Sequence, residues 1–213
     1  MSVSLNVNDV KQILKKLAET FKENKAMLND LDTKLGDGDH GRSMDLGFSG
    51  VASYIDEKDP GTIAELLMDG GMQFNEAAGS TIGILMFSAM REAGKICRDK
   101  EEIGLADLKD MLDAAIKGIM KRGKVDVGQK TIIDSLHPAL VTLEEGLADS
   151  NLDDEAVIKN AIDAASEGAE ATRGMTPAIG RARWFAERSH DEIDPGAVSG
   201  SIMIKTVGEY LLG

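Results

Sequence analysis

Apolar residues recur along this chain at three- and four-residue spacing and almost never in alternation. That periodicity is the signature of amphipathic helices. Eight stripes can be traced. They run over Val10–Phe21, Met44–Ile55, Ile63–Phe74, Ile82–Ile96, Leu108–Ile119, Ile132–Leu147, Val157–Gly168 and, less regularly, Val198–Leu211. Aromatic residues are only 4% of the chain and prolines number four, so strands have little to be built from. The connectors carry turn chemistry. Asp59-Pro60-Gly61-Thr62 reads as a stop followed by an N-cap, and Asp153-Asp154-Glu155 loads a helix start with carboxylates that suit its dipole. No stretch has the composition of an interdomain linker and no repeat period stands out. The expectation is an all-α fold, one domain over residues 1–213 with about eight helices.

The balance of 24 Lys+Arg against 37 Asp+Glu leaves a formal charge of −13. An acidic surface repels phosphodiester backbones and anionic lipid, which argues against nucleic-acid and membrane partners. The longest near-apolar run, residues 82–90, is far short of the roughly 20 residues a membrane helix needs. The first residues lack the basic start and apolar stretch of a signal peptide. A single cysteine, Cys97, points to a reducing compartment, so the cytoplasm is the expected location.

Glycine is unusually frequent, 23 residues or about 11% against an average near 7%. It gathers in connectors expected over 30–43, 123–131 and 173–196, with a shorter one over 77–81. The first holds the most informative stretch, Asp32-Thr-Lys-Leu-Gly36-Asp37-Gly38-Asp39-His40-Gly41-Arg42-Ser43. Three carboxylates this close repel one another unless solvated or bound to a cation, and hard oxygen ligands suit Mg²⁺ or Ca²⁺. Gly36-x-Gly38-x-x-Gly41 matches a dinucleotide fingerprint, but a helical stripe precedes it where a strand is required. The same objection meets a Walker A reading, in which Arg42 would also replace the lysine. An EF-hand starting at Asp37 fails, because Gly41 and Phe48 stand where ligands are needed. Ser43 and the amides of Gly41 and Arg42 lie at a helix start, where anions bind well, and His40 could donate to a phosphate oxygen.

The run Leu-Gly-Asp37-Gly-Asp39-His40-Gly41 resembles the nucleotide-binding L subunit, or Dak2 domain, of dihydroxyacetone kinases. Four further segments agree in order and spacing: 122–131 (Arg122 to Thr131), Gly180-Arg181-Ala182, Glu187-Arg188-Ser189 and Asp194-Pro195-Gly196-Ala197. The resemblance spans essentially the whole chain and is closest to the stand-alone bacterial type. It implies a barrel of eight antiparallel helices with the nucleotide at one end. It implies two Mg²⁺ held by Asp32, Asp37 and Asp39 against ADP or ATP, with His40, Gly41, Arg42 and Ser43 on the phosphates. Gly123, Ile132, Arg181, Asp194, Gly196 and Ala197 would enclose the base and ribose. It further implies a dihydroxyacetone-binding K subunit and a phosphohistidine-carrying M subunit of the phosphotransferase system as partners. Where the family has a Gly-Gly-Ala-Ser-Gly-like stretch, this chain reads Ala78-Gly79-Ser80-Thr81-Ile82, so Ser80 or Thr81 would have to supply the hydroxyl. That departure leaves room for a paralogue acting on another triose or tetrose. A nucleotide-sensing regulatory module and a Ca²⁺-binding helical protein are the other classes open at this stage.

Overall fold

The computed structural model describes residues 3–179, 183 and 190–213. Eight helices are found among them: α1 (Val7–Leu35), α2 (His40–Lys58), α3 (Ile63–Ala78), α4 (Thr81–Ile96), α5 (Leu105–Gly123), α6 (Ile133–Ala148), α7 (Asp154–Ala171) and α8 (Pro195–Leu212). The fold is all-α. The only extended pairing among the described residues is an isolated antiparallel bridge between Leu5 and Ile103. No helix among them is long and apolar enough to cross a membrane.

The helix starts follow their capping chemistry. Thr62 accepts from the Glu65 amide before α3, Asp153 from Ala156 before α7, and Asp194 from Ala197 before α8. Pro195 occupies the first turn of α8, where its missing N–H costs nothing. One expected boundary is different. The connector anticipated over 30–43 contracts to four residues, because α1 runs on to Leu35 and α2 begins at His40. Leu28 and Leu35 carry the apolar stripe of α1 onward and are fully buried, so packing extends the helix past its polar surface residues.

The chain divides into two compact units. The first comprises Met1–Lys22 and Ser43–Gly123, the second Glu23–Arg42 and Lys124–Gly213. In the first, α4 packs against both α3 and α5. Three phenylalanines make its aromatic centre. Phe21 stacks on Phe48 with centroids 4.9 Å apart, and Phe48 meets Phe74 edge-on at 5.1 Å. In the second, α6, α7 and α8 pack on one another. Gly200 lets α8 approach α6 closely, since a Cβ there would lie 2.1 Å from Ser135 Oγ.

Because Phe48 touches both other rings and is 1% exposed, Phe48→Ala should cost about 3–5 kcal/mol. Denaturant unfolding checks this, with Met27→Ala on the surface as a near-neutral reference.

Candidate functional site

The site is assembled at the junction of α1 and α2, within the second unit. Asp32 lies on the last turn of α1, and its Oδ2 accepts from the amides of Asp39 (3.0 Å) and His40 (3.1 Å). One carboxylate therefore caps the N-terminus of the next helix, where negative charge is favoured. Asn29, one turn earlier, does the same for the Arg42 amide at 3.0 Å. The four-residue loop between the helices turns through Gly38, whose φ of +76° is a left-handed conformation. Gly41 allows α2 to start hard against α1, since a Cβ there would sit 2.2 Å from the Lys25 carbonyl oxygen.

This path brings the three predicted carboxylates together. Ligand oxygens of Asp32, Asp37 and Asp39 all lie within 4.8 Å of one another, with Asp32 half-buried and the other two exposed. Two oxygens on opposite sides of one Mg²⁺ are at most about 4.2 Å apart, so closure onto an ion needs only a small movement. The donor set, all carboxylate oxygen with two of its three members exposed, fits a hard divalent cation.

His40 is half-buried beside them. Burial pulls its imidazole down to about 4, against the raising effect of Asp32. Its Nε2 lies 2.8 Å from Ser199 Oγ on α8. The Arg42 amide, anticipated as an anion donor, is already engaged by Asn29, while its side chain is exposed. Ser43 is buried and belongs to the first unit.

A second group of predicted residues meets around the start of α8. Asp194 is buried, its Oδ2 accepts from Ala197 at 2.8 Å, and its own amide donates to Thr172 Oγ1 at 2.9 Å. Burial raises its carboxyl to about 7, helped by Asp134 and opposed by the Ala197 amide and Lys130. Gly196 abuts Ile132, with a Cβ position 3.3 Å from the Ile132 amide nitrogen. Ile132 and Ala197 are both buried. Gly123 ends α5 in the first unit, where Ser80 serves as the N-cap of α4, accepting from Gly83 at 3.4 Å, and Thr81 opens that helix. Arg181 lies outside the described residues, as do Gly180, Ala182 and the segment 187–189.

Three residues outside the predicted site set, Asp134, Lys130 and Thr172, hold this second group in place. Asp134 accepts from the Gly128 and Thr131 amides, the latter at 2.7 Å, and so organises the loop before α6. The Thr131-x-x-Asp134 spacing is a capping-box variant and could have revealed it. Lys130 is buried with φ +61°, and its Nζ donates to the carbonyl oxygens of Met175 (3.2 Å) and Glu192 (2.7 Å). Burial lowers its ammonium below the usual lysine range, opposed by Asp194 and Glu192. Thr172 donates to Ala169 O at 2.6 Å while receiving the Asp194 amide. Cys97 is buried and its thiol is pushed up to about 11 by that burial, and His190 is exposed beside Asp191.

Comparison with known proteins identifies the family. The DAK2 domain model matches residues 34–209. The chain belongs to the DAK2 domain family. It is 33% identical over 191 residues to the Listeria innocua protein named PEP-dependent dihydroxyacetone kinase 1, ADP-binding subunit DhaL, covering 89% of each chain. It is 32% identical over 205 residues to the L-erythrulose 1-kinase of Mycolicibacterium smegmatis, covering 93% of this chain and 35% of that one. Among solved structures it resembles the C. freundii dihydroxyacetone kinase in complex with AMP-PNP and Mg²⁺, with TM-score 0.73 and 26% identity over 94% of this chain. This DAK2 chain spans about a third of the length of those last two proteins.

The raised carboxyl of Asp194 has a signed consequence for stability. A folded value near 7 against 3.8 unfolded means the folded state holds the extra proton between those limits. The contribution is complete below about pH 4 and is lost as pH rises through about 7. Relative to Asp194→Asn, the native protein should therefore lose on the order of 2–4 kcal/mol between pH 4 and pH 8, measured by denaturant unfolding across that range.

Proposed function

We propose that this chain is the nucleotide-binding, phosphoryl-transfer subunit of a dihydroxyacetone kinase. The observation that carries the reading is the convergence of Asp32, Asp37 and Asp39 at the N-terminus of α2 in a DAK2-family chain. Residues 1–213 act in this reading as one nucleotide-binding domain in the cytoplasm. Asp32, Asp37 and Asp39 hold two Mg²⁺ against the phosphates of ADP or ATP. Bound there, the ions neutralise charge on the transferred phosphoryl group, the main requirement of this chemistry. His40, Gly41, Arg42 and Ser43 contact the phosphates, and Ser80 or Thr81 supplies a hydroxyl. Gly123, Ile132, Arg181 and the Asp194-Pro195-Gly196-Ala197 turn enclose the base and ribose.

The acceptor, dihydroxyacetone, is held on a separate K subunit. ADP stays on this chain and is rephosphorylated in place by the phosphohistidine of the M subunit. The PEP-dependence in the Listeria relative's name supports that donor over free ATP. The erythrulose kinase relative supports a second reading of the acceptor alone, a four-carbon ketose in place of the triose.

Native mass spectrometry of the purified protein should show ADP and two divalent ions travelling with it. In calorimetry, ADP binding should require Mg²⁺. Asp37→Asn or Asp39→Asn should weaken it beyond the roughly 10–100-fold typical of outer-shell changes and abolish transfer. Undiminished Mg²⁺-dependent binding in both variants would refute the assignment.

A further inference from the structure

Ser199 stands on the second turn of α8 and is completely buried. Its hydroxyl has one hydrogen-bond partner among the described residues, Nε2 of His40 at 2.8 Å. A hydroxyl carries one hydrogen and two lone pairs. Leaving that hydrogen buried without an acceptor costs about 1–3 kcal/mol, whereas an idle lone pair costs less. The acceptor on offer is a ring nitrogen, and it can accept only when it bears no hydrogen. Ser199 is therefore the donor, and the neutral ring of His40 carries its hydrogen on Nδ1.

The same residue is held at its main chain, where its amide donates to Asp32 Oδ2 at 3.1 Å. Asp32 thus fixes the backbone of His40 and Ser199 fixes the far edge of its ring. Nδ1, the ring nitrogen nearer the main chain, has no hydrogen-bond partner among the described residues. We propose that Ser199 is a positioning residue that locks His40 in its Nδ1–H form, so that the ring presents a hydrogen-bond donor to an anionic phosphate oxygen. In the opposite tautomer the ring would turn a lone pair toward that oxygen, and the contact would be repulsive. An outer-shell partner that selects the tautomer of a ligand-facing histidine acts in the same way at metal sites. The consequence for binding rests on the nucleotide reading above. The tautomer itself does not.

Ring ¹⁵N spectra of the nucleotide-free protein at pH 8, with His40 assigned by comparison with His40→Asn, should show Nδ1 protonated and Nε2 bare. Ser199→Ala should shift His40 toward the Nε2–H form and weaken Mg²⁺·ADP binding about 10–100-fold, read by calorimetry. An Nε2–H ring in the native protein would overturn the proposal. So would a ring signature, or an ADP affinity, that Ser199→Ala leaves unchanged. A native protein with the expected ring signature but no affinity for Mg²⁺·ADP would overturn the positioning role through failure of the nucleotide reading, which the ring spectra, recorded without nucleotide, tell apart from failure of the tautomer assignment.

Discussion

The carboxylate of Asp32 joins two helices and begins a third task between them. Its Oδ2 receives the Asp39 and His40 amides, so the orphan donors of α2 are answered by a side chain of α1. The same carboxylate stands within reach of Asp37 and Asp39. The positive end of α2 and the two amides draw negative charge to this corner, while three neighbouring carboxylates make it costly without a cation. The structure resolves that opposition by spreading the roles. One oxygen of Asp32 is spent on the helix start, and the cluster as a whole is the candidate hard-cation site. The four-residue loop between α1 and α2 is what makes both possible, because it returns the chain to Asp32 within seven residues.

The start of α8 is organised by a different means. Here the polar groups are buried, and each is answered. Asp194 caps α8 and is tied to α7 through Thr172. Asp134 shapes the loop before α6, and Lys130 reaches from that loop to carbonyl oxygens on both sides of the 173–196 connector. A network of this kind is worth having only when complete, since each unpaired member would carry a full desolvation cost. It ties the loop before α6 to Met175 and Glu192, two described residues of the later connector.

Much of this was legible before any coordinates. The stripes through Phe21, Phe48 and Phe74 mark residues that are buried, the N-cap stands at Thr62, and the carboxylates at 153–155 open α7. The Asp32, Asp37 and Asp39 cluster was also readable, because its members are close in sequence and their mutual repulsion is a local fact. The length of the first connector was not readable. Asp30 looks like a loop residue by composition, but Leu28 and Leu35 bury and carry the helix through it, with Asp32 in the closing turns as its position at the end of the first helix suggests. Ser199 was equally hidden, since its partner His40 lies 159 residues away and no local pattern encodes that pairing.

Sequence by itself determined the helical class, the acidic loop and the glycines that flank it, because periodicity, charge crowding and backbone freedom all act over a few residues. Only the tertiary structure decided which polar groups spend their hydrogen bonds on the fold and which remain for a ligand. The Arg42 amide donates to Asn29 Oδ1, and Ser199 Oγ pairs with His40 Nε2 across 159 residues. For Ser199, which is completely buried, the reason is that desolvation forces a polar group, once helices close over it, to find a partner on whichever element packing has placed beside it.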